Sequence, residues 1–284
     1  MKNNNSKRHH YIPKFLIKKF CDKGGLLYIY DKKKDIIHSN PRSPKSVLFE
    51  NHRNTIKIDN QASSIIEDEL FQILDDTSSK YIKELQTSEI KPSLFSDENL
   101  VQLQFFVINL FWRIPKTDYV VEDLINRAKI TTDGIDPELL RNDVSWRKLK
   151  RIELYNETIN QMSESITKPS GYYTKIVEFD EDIFVLGDYP FIFRNYLKKF
   201  TDLVEDDFYI ALTSKRILSF STKPMQSFTK SMSLTYNASI INESHNYVVS
   251  NNLKMLKGSV EFYKRLKGEN HNHIAKFRLF KEEI

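Results

Sequence analysis

The densest apolar pattern runs from Asn99 to Arg113, where Leu100, Val101, Leu103, Phe105, Phe106, Val107, Ile108, Leu110, Phe111 and Trp112 cover nearly every face of a helix. A helix that is hydrophobic all round is a buried one, so this segment is expected to be the central helix of the fold. Ser96 precedes it as an N-cap, Asp97 and Glu98 follow where the helix dipole favours acids, and Pro115 ends it. Apolar positions three and four apart predict another helix over 61–86, carried by Ile65, Ile66, Leu70, Ile73 and Leu74. Further helices are expected over 145–167, 235–247 and 251–266, and Asp136-Pro137-Glu138 marks one more helix start. Near the N-terminus, Ile12, Phe15, Leu16 and Phe20 share one helical face after Pro13, and Gly24-Gly25 stops that helix.

Runs rich in large apolar residues predict strands over 26–30 and 36–38, with Asp31 to Asp35 as a hairpin tip. Residues 40–44 then read as a loop and 91–93 as a linker. Strands are also expected over 172–179, 183–187, 206–213, 216–221 and 274–280, after a break at Pro169-Ser170-Gly171. A short hairpin, a helical block and a mixed strand-rich block give an α+β fold rather than an alternating βαβ one. Residues 1–8 read as a flexible basic tail. Residues 9–284 read as a single α+β domain, with a subdivision near 168–171.

Composition narrows the picture. Of 284 residues, 40% are hydrophobic and 12% aromatic, which supports a folded, Phe-rich core. Only 7 glycines occur, and neither GxGxxG nor GxxxxGK[ST] is present, so a glycine-rich phosphate cradle is not expected. The net charge of +5 permits contact with nucleic acid without demanding it. Cys21 is the one cysteine, so neither an internal disulfide nor a CxxC zinc site can form. No run reaches the ~18 apolar residues of a membrane span, and the basic start lacks the apolar core of a signal peptide. A cytoplasmic protein with no membrane partner is expected.

Chemistry-bearing residues are few. His9 and His10 stand together where the tail meets the Pro13 helix, among only 7 histidines. With an unperturbed pKa of about 6.5, histidine serves as base, acid or metal ligand, or as a buried structural side chain. Arg113 ends the apolar helix, and a buried charge needs a partner; Glu67, Asp188 or a substrate phosphate would serve. Asp188 closes a strand ahead of Tyr189-Pro190, where a carboxylate suits either a turn or general-base work. Glu67, with Asp68 and Glu69, reads first as a solvated face near a helix start. Asp31 reads as a turn residue.

Six segments, in order and at matching spacing, resemble a bacterial family of unknown function, DUF4238. They are HHYIPKFLIKKF, LLYIYDKKK, SSIIEDEL, FFVINLFWRIP, FVLGDYPFIF and ALTSKRILSF. The first resembles that family's HHYVP box. Two departures stand out: Gly187 replaces a usual Ser before Asp188, and Ser214-Lys215 replaces a Ser-Pro. Matched box by box, the resemblance points to His9, His10, Asp31, Glu67, Arg113 and Asp188. It also implies an accessory protein of bacterial mobile elements or defence systems.

Two histidines, carboxylates and an arginine are the components of phosphodiester hydrolysis, which needs an activated water and a cation over the developing charge. The first expectation is therefore a metal-dependent hydrolase, a nuclease of bacterial defence or a toxin-like effector. His9 or His10 would be the base, Asp188 and Glu67 would hold a divalent metal (Mg or Mn), and Arg113 would clamp phosphate. The alternative is a non-enzymatic module that grips nucleic acid or a defence-operon protein through Lys7, Arg8 and Lys14, with the His pair as an anchor. Nucleotide transfer around Arg113 and Tyr189 ranks third. The hydrolase expectation requires at least four of His9, His10, Glu67, Arg113 and Asp188 around one cleft.

Overall fold

The computed structural model describes residues 7–58, 61–127, 129, 136–165, 172–195, 202–269, 271, 276 and 278–280. The order of elements begins with strand β1 (Arg8–His10), helix α1 (Lys14–Ile17), and strands β2 (Leu27–Asp31), β3 (Ile36–Arg42), β4 (Phe49–Asn51), β5 (Ile56–Ile58) and β6 (Gln61–Ser63). Helices α2 (Gln72–Thr87), α3 (Asp97–Arg113), α4 (Asp118–Arg127), α5 (Pro137–Asn142) and α6 (Val144–Ser165) follow. The remainder is β7 (Tyr173–Glu178), β8 (Leu186–Gly187), β9 (Phe191–Phe193), α7 (Asp202–Glu205), β10 (Phe208–Ala211), β11 (Arg216–Ser221), α8 (Ser233–Glu243), β12 (Tyr247–Ser250) and α9 (Leu253–Gly268). The fold is α+β, as the pattern of elements implied.

Two four-stranded antiparallel sheets carry the architecture, in the orders β7-β11-β10-β9 and β3-β2-β12-β8. Two short ribbons, β1-β4 and β5-β6, complete the strands. Helix α3 is the central helix expected: Leu103, Val107, Ile108, Leu110 and Trp112 are fully buried. It starts at Ser96, whose hydroxyl accepts the Asn99 N–H. One hydrophobic core runs from Tyr11 to Phe280, so the strand-rich half and the helical half share it. No helix among the described residues is long and apolar enough to cross a membrane.

Several elements differ from the sequence pattern, each because a distant partner overrides local preference. Arg8 is not tail but the first residue of β1, paired with Asn51. The loop expected at 40–44 begins with the end of β3. Pro41 is tolerated there because β3 is an edge strand, where a missing N–H leaves no partner unpaired. Residues 61–63 form a strand, and Ile66–Phe71 wind as a π-helix before α2. The segment 91–93 leads into a 3-10 turn, Pro92–Phe95. Helix α8 stops at Glu243, and Tyr247–Ser250 form a strand between β2 and β8 instead of prolonging it. Of the strand expected over 183–187, only Leu186 and Gly187 pair. Of that expected over 274–280, residues 276, 278 and 279 are helical and 274, 275 and 277 lie outside the described residues. The break at 169–171 and residues 1–6 also lie outside them.

Gly187 has a packing reason. A Cβ at this position would collide with the Ser244 hydroxyl and approach Ile240 Cγ2 to 2.8 Å. The space a serine side chain would need is taken by Ser244 at the end of α8.

Candidate functional site

Four of the five residues expected at the site converge on β1 and its surroundings. Arg113 is 2% exposed, and its Nη2 donates to the His10 carbonyl at 2.9 Å. Its Nη1 pairs with Asp75, and the guanidinium lies over the Phe71 ring at 4.7 Å. The expected partners Glu67 and Asp188 are not used. The phosphate-clamp role expected of Arg113 has no free face here: the group joins α3, β1 and α2. His10 donates from Nε2 to the Pro44 carbonyl at 3.0 Å, because a carbonyl can only accept. Burial, together with Lys14, Arg113 and Arg8, lowers its pKa to about 4 even though the Pro44 bond works the other way. His9 is fully buried, and its Nδ1 accepts the Asn54 N–H at 3.0 Å. The lone pair a base would need on that atom is already engaged.

Asn54, which the sequence reading missed, is the hub. Its Nδ2 donates to Glu67 at 2.6 Å and its Oδ1 accepts from Arg151 Nη2 at 2.5 Å. Glu67 stands in the first turn of the π-helical segment Ile66–Phe71, a local irregularity often found at functional sites. Next to Asn54, Arg53 donates from Nε to the Arg113 carbonyl at 2.6 Å and grips both Asp118 oxygens, at 2.9 and 2.7 Å. Arg53 also pairs with Glu50 at 2.8 Å.

This network forms one wall of a cleft of about 310 Å³. Arg53, Arg147, Lys148 and Arg151 line it, against Glu50, Asp118 and Glu122, with His52 exposed beside them. Lys148 is held by the His52 and Thr55 carbonyls, both at 2.7 Å. Burial first, and then the neighbouring arginines, hold the Lys148 pKa below its ordinary value and lower that of Arg151 to about 10. Arg53 goes the other way: Asp118 and Glu50 outweigh its burial and hold its pKa above the ordinary value. Among the described residues the Arg147 side chain has no hydrogen bond or ion pair, and its buried Nε is unpaired. Part of the signal for this site lies in the sequence: Arg147 and Lys148 fall four and three residues before Arg151, on one helical face. The strain does not. His52 has φ 58°, and Leu48, before β4, has φ 52°; such a conformation in a non-glycine residue costs of order 1–3 kcal/mol.

Asp188 lies apart from this network. It is fully buried, and its two oxygens accept three backbone N–H groups, from His245 at 2.7 Å, Asn246 at 2.6 Å and Tyr247 at 2.8 Å. Burial raises its pKa against the opposing pull of those bonds. The carboxylate holds the turn from α8 into β12. Asp188 and Glu67 share no partner, and no group of three or more His, Cys, Asp or Glu among the described residues could hold a metal ion. The donor set expected for Mg or Mn is therefore not assembled by these two residues. Asp31 caps its turn, accepting the Lys34 N–H at 3.1 Å. Lys7, Arg8 and Lys14 are exposed, and none lines the cleft.

The family match agrees with this frame. The model of a protein family of unknown function, DUF4238, matches residues 8–254, from β1 into α9, and the chain belongs to that family. No curated protein and no solved structure matches it.

Proposed function

We propose that this protein binds the phosphate backbone of nucleic acid in the cleft between β4 and α6. The observation that carries this reading is Arg147, a half-buried guanidinium without a partner beside three further cations. A planar guanidinium offers paired N–H donors that match phosphate oxygens. An arriving phosphate would also relieve the mutual repulsion of Lys148 and Arg151. In this reading His9, His10, Glu67 and Arg113 are the scaffold that sets Arg53 and Asn54 in place. The gripping residues are those of the cleft, and Lys7, Arg8 and Lys14 are not required.

Hydrolysis of the bound strand is the second reading, favoured by His52. His52 has a strained backbone, and its exposed side chain lines the same cleft as Glu50 and Glu122. The role of base, expected of His9 or His10, passes to His52.

Fluorescence anisotropy with labelled DNA and RNA over a salt series tests both. The wild type binds with salt-dependent affinity. Arg147→Ala loses about tenfold, the loss of one charge-assisted contact, and its salt slope falls by about one. Equal affinity for wild type and variant, or binding indifferent to salt, overturns the binding reading. Cleavage that persists in His52→Ala overturns the hydrolytic one.

A further inference from the structure

A second cavity lies against the cleft. It encloses about 300 Å³, and its walls include Phe111, Tyr119, Tyr189, Phe191 and Phe193. That volume is at the small end of ligand sites, about 300–1,000 Å³, and suits one ring system rather than a dinucleotide. The rings interlock: Tyr189 meets Phe191 edge-on at 6.0 Å, and Phe191 meets Phe193 at 5.5 Å.

Polar groups stand among the rings. Lys116 donates to the carboxylate and the carbonyl of Glu243, both at 2.6 Å, and lies over the Tyr189 ring at 4.3 Å. Burial works to raise the Glu243 carboxyl, but Lys116 outweighs it and holds the group below its ordinary value, so it stays an ionised acceptor. Tyr189 is 8% exposed, and its hydroxyl makes no hydrogen bond among the described residues. The hydroxyl therefore keeps its donor and acceptor capacity for a ligand. Tyr119, 62% exposed, forms the open rim.

The turn into α4 separates this cavity from the cleft. Lys116, Thr117 and Tyr119 face the aromatic cavity, while Asp118 and Glu122 face the cleft. Thr117 and Asp118 are consecutive, so the two sites are one backbone step apart, and Thr117 Oγ1 fixes the turn by donating to the Phe111 and Ile114 carbonyls.

We propose that the aromatic cavity receives a single unstacked nucleobase from a strand whose phosphates lie in the cleft, an inference that rests on the nucleic-acid reading of that cleft. Aromatic rings accept any base by its π-face. The Glu243 carboxylate and the Tyr189 hydroxyl supply an acceptor and a donor for base edges. A lipid chain would leave both unused.

The test measures binding of an intact single-stranded oligonucleotide, an abasic strand of equal length, and the free nucleosides. The proteins are the wild type, Tyr119→Ala and Tyr189→Phe. Tyr119 lies at the rim, so its truncation spares the core, and melting curves confirm that both variants fold. The wild type binds the intact strand more tightly than the abasic one. Tyr119→Ala loses about tenfold for the intact strand, the scale of one base-stacking contact, and nothing for the abasic strand. Tyr189→Phe loses less, again only for the intact strand. Equal wild-type affinity for intact and abasic strands overturns the base pocket while the phosphate cleft stands. Binding of nucleosides without binding of either strand overturns it in favour of a free-nucleoside site and removes the cleft reading as well. Failure of every probe overturns both.

Discussion

The Asp188 turn and the Arg53–Arg151 cleft are both built from buried charge, and they resolve it in opposite ways. Around Asp188 each oxygen meets backbone N–H groups, three in all. In the cleft, four cations crowd together and Arg147 is left with no partner among the described residues. A buried charge closed off by backbone holds a loop. A half-buried charge left open toward solvent is available to a ligand. On sequence alone Asp188 looked the more chemical of the two, because a carboxylate after a strand and before Tyr-Pro suits catalysis. The comparison reverses that order.

The contrast is broken most directly by substitution on each side. Asp188→Ala removes the buried acceptor of three partly buried backbone N–H groups at roughly 1 kcal/mol each, so a loss of about 3 kcal/mol is expected in denaturant melts. Arg147→Ala should stay within about 0.5 kcal/mol of wild type. If the two variants melt alike, the distinction between a closed and an open charge fails.

His10 sharpens it through pH. Its folded pKa of about 4 lies below the reference 6.5, so the unfolded chain binds the extra proton first. Stability is complete above about pH 6.5 and falls as pH drops toward 4, by about 3 kcal/mol at that end. His10→Gln should flatten this part of the stability–pH curve, measured by urea titration at each pH. An unchanged slope would show that His10 is not the group responsible.

The smallest effect concerns His52. Glycine adopts a positive φ without strain, so His52→Gly is expected to gain up to about 1 kcal/mol in thermal stability while the cleft cations keep their grip on nucleic acid. A variant that loses stability would mean that the imidazole contacts outweigh the backbone strain.

What could be read in advance follows the range of the interactions. Helix α3 was legible because its burial is written in its own residues, and its Ser96 cap is local. So were β7 and β11, whose alternation suffices. Strand β12 was not: four residues after a helix carry little pattern, and the strand exists because β2 and β8 leave a gap between them. His9, His10, Glu67 and Arg113 lie near one another but none lines the cleft, and their pairings could not be read in advance. Arg113 meets Asp75 across 38 positions, and Asn54 meets Arg151 across 97. No spacing rule reaches that far. Arg53 and Asn54 went unnoticed because a short polar stretch between strands reads as an ordinary turn until α6 is folded against it.

Strand β4 carries a last consequence. It is three residues long, and a left-handed residue stands just before it and just after it. Within it Glu50 contributes to the cleft, while Phe49 packs against the His10 ring at 5.7 Å. Side chains alternate along a strand, so one inserted or deleted residue between Leu48 and His52 would exchange the two. The carboxylate would turn toward the imidazole and the ring toward the cations. This stretch therefore tolerates changes of residue but not of length. Relatives that share the cleft should keep the count of residues between those two kinks even where none of the letters agree.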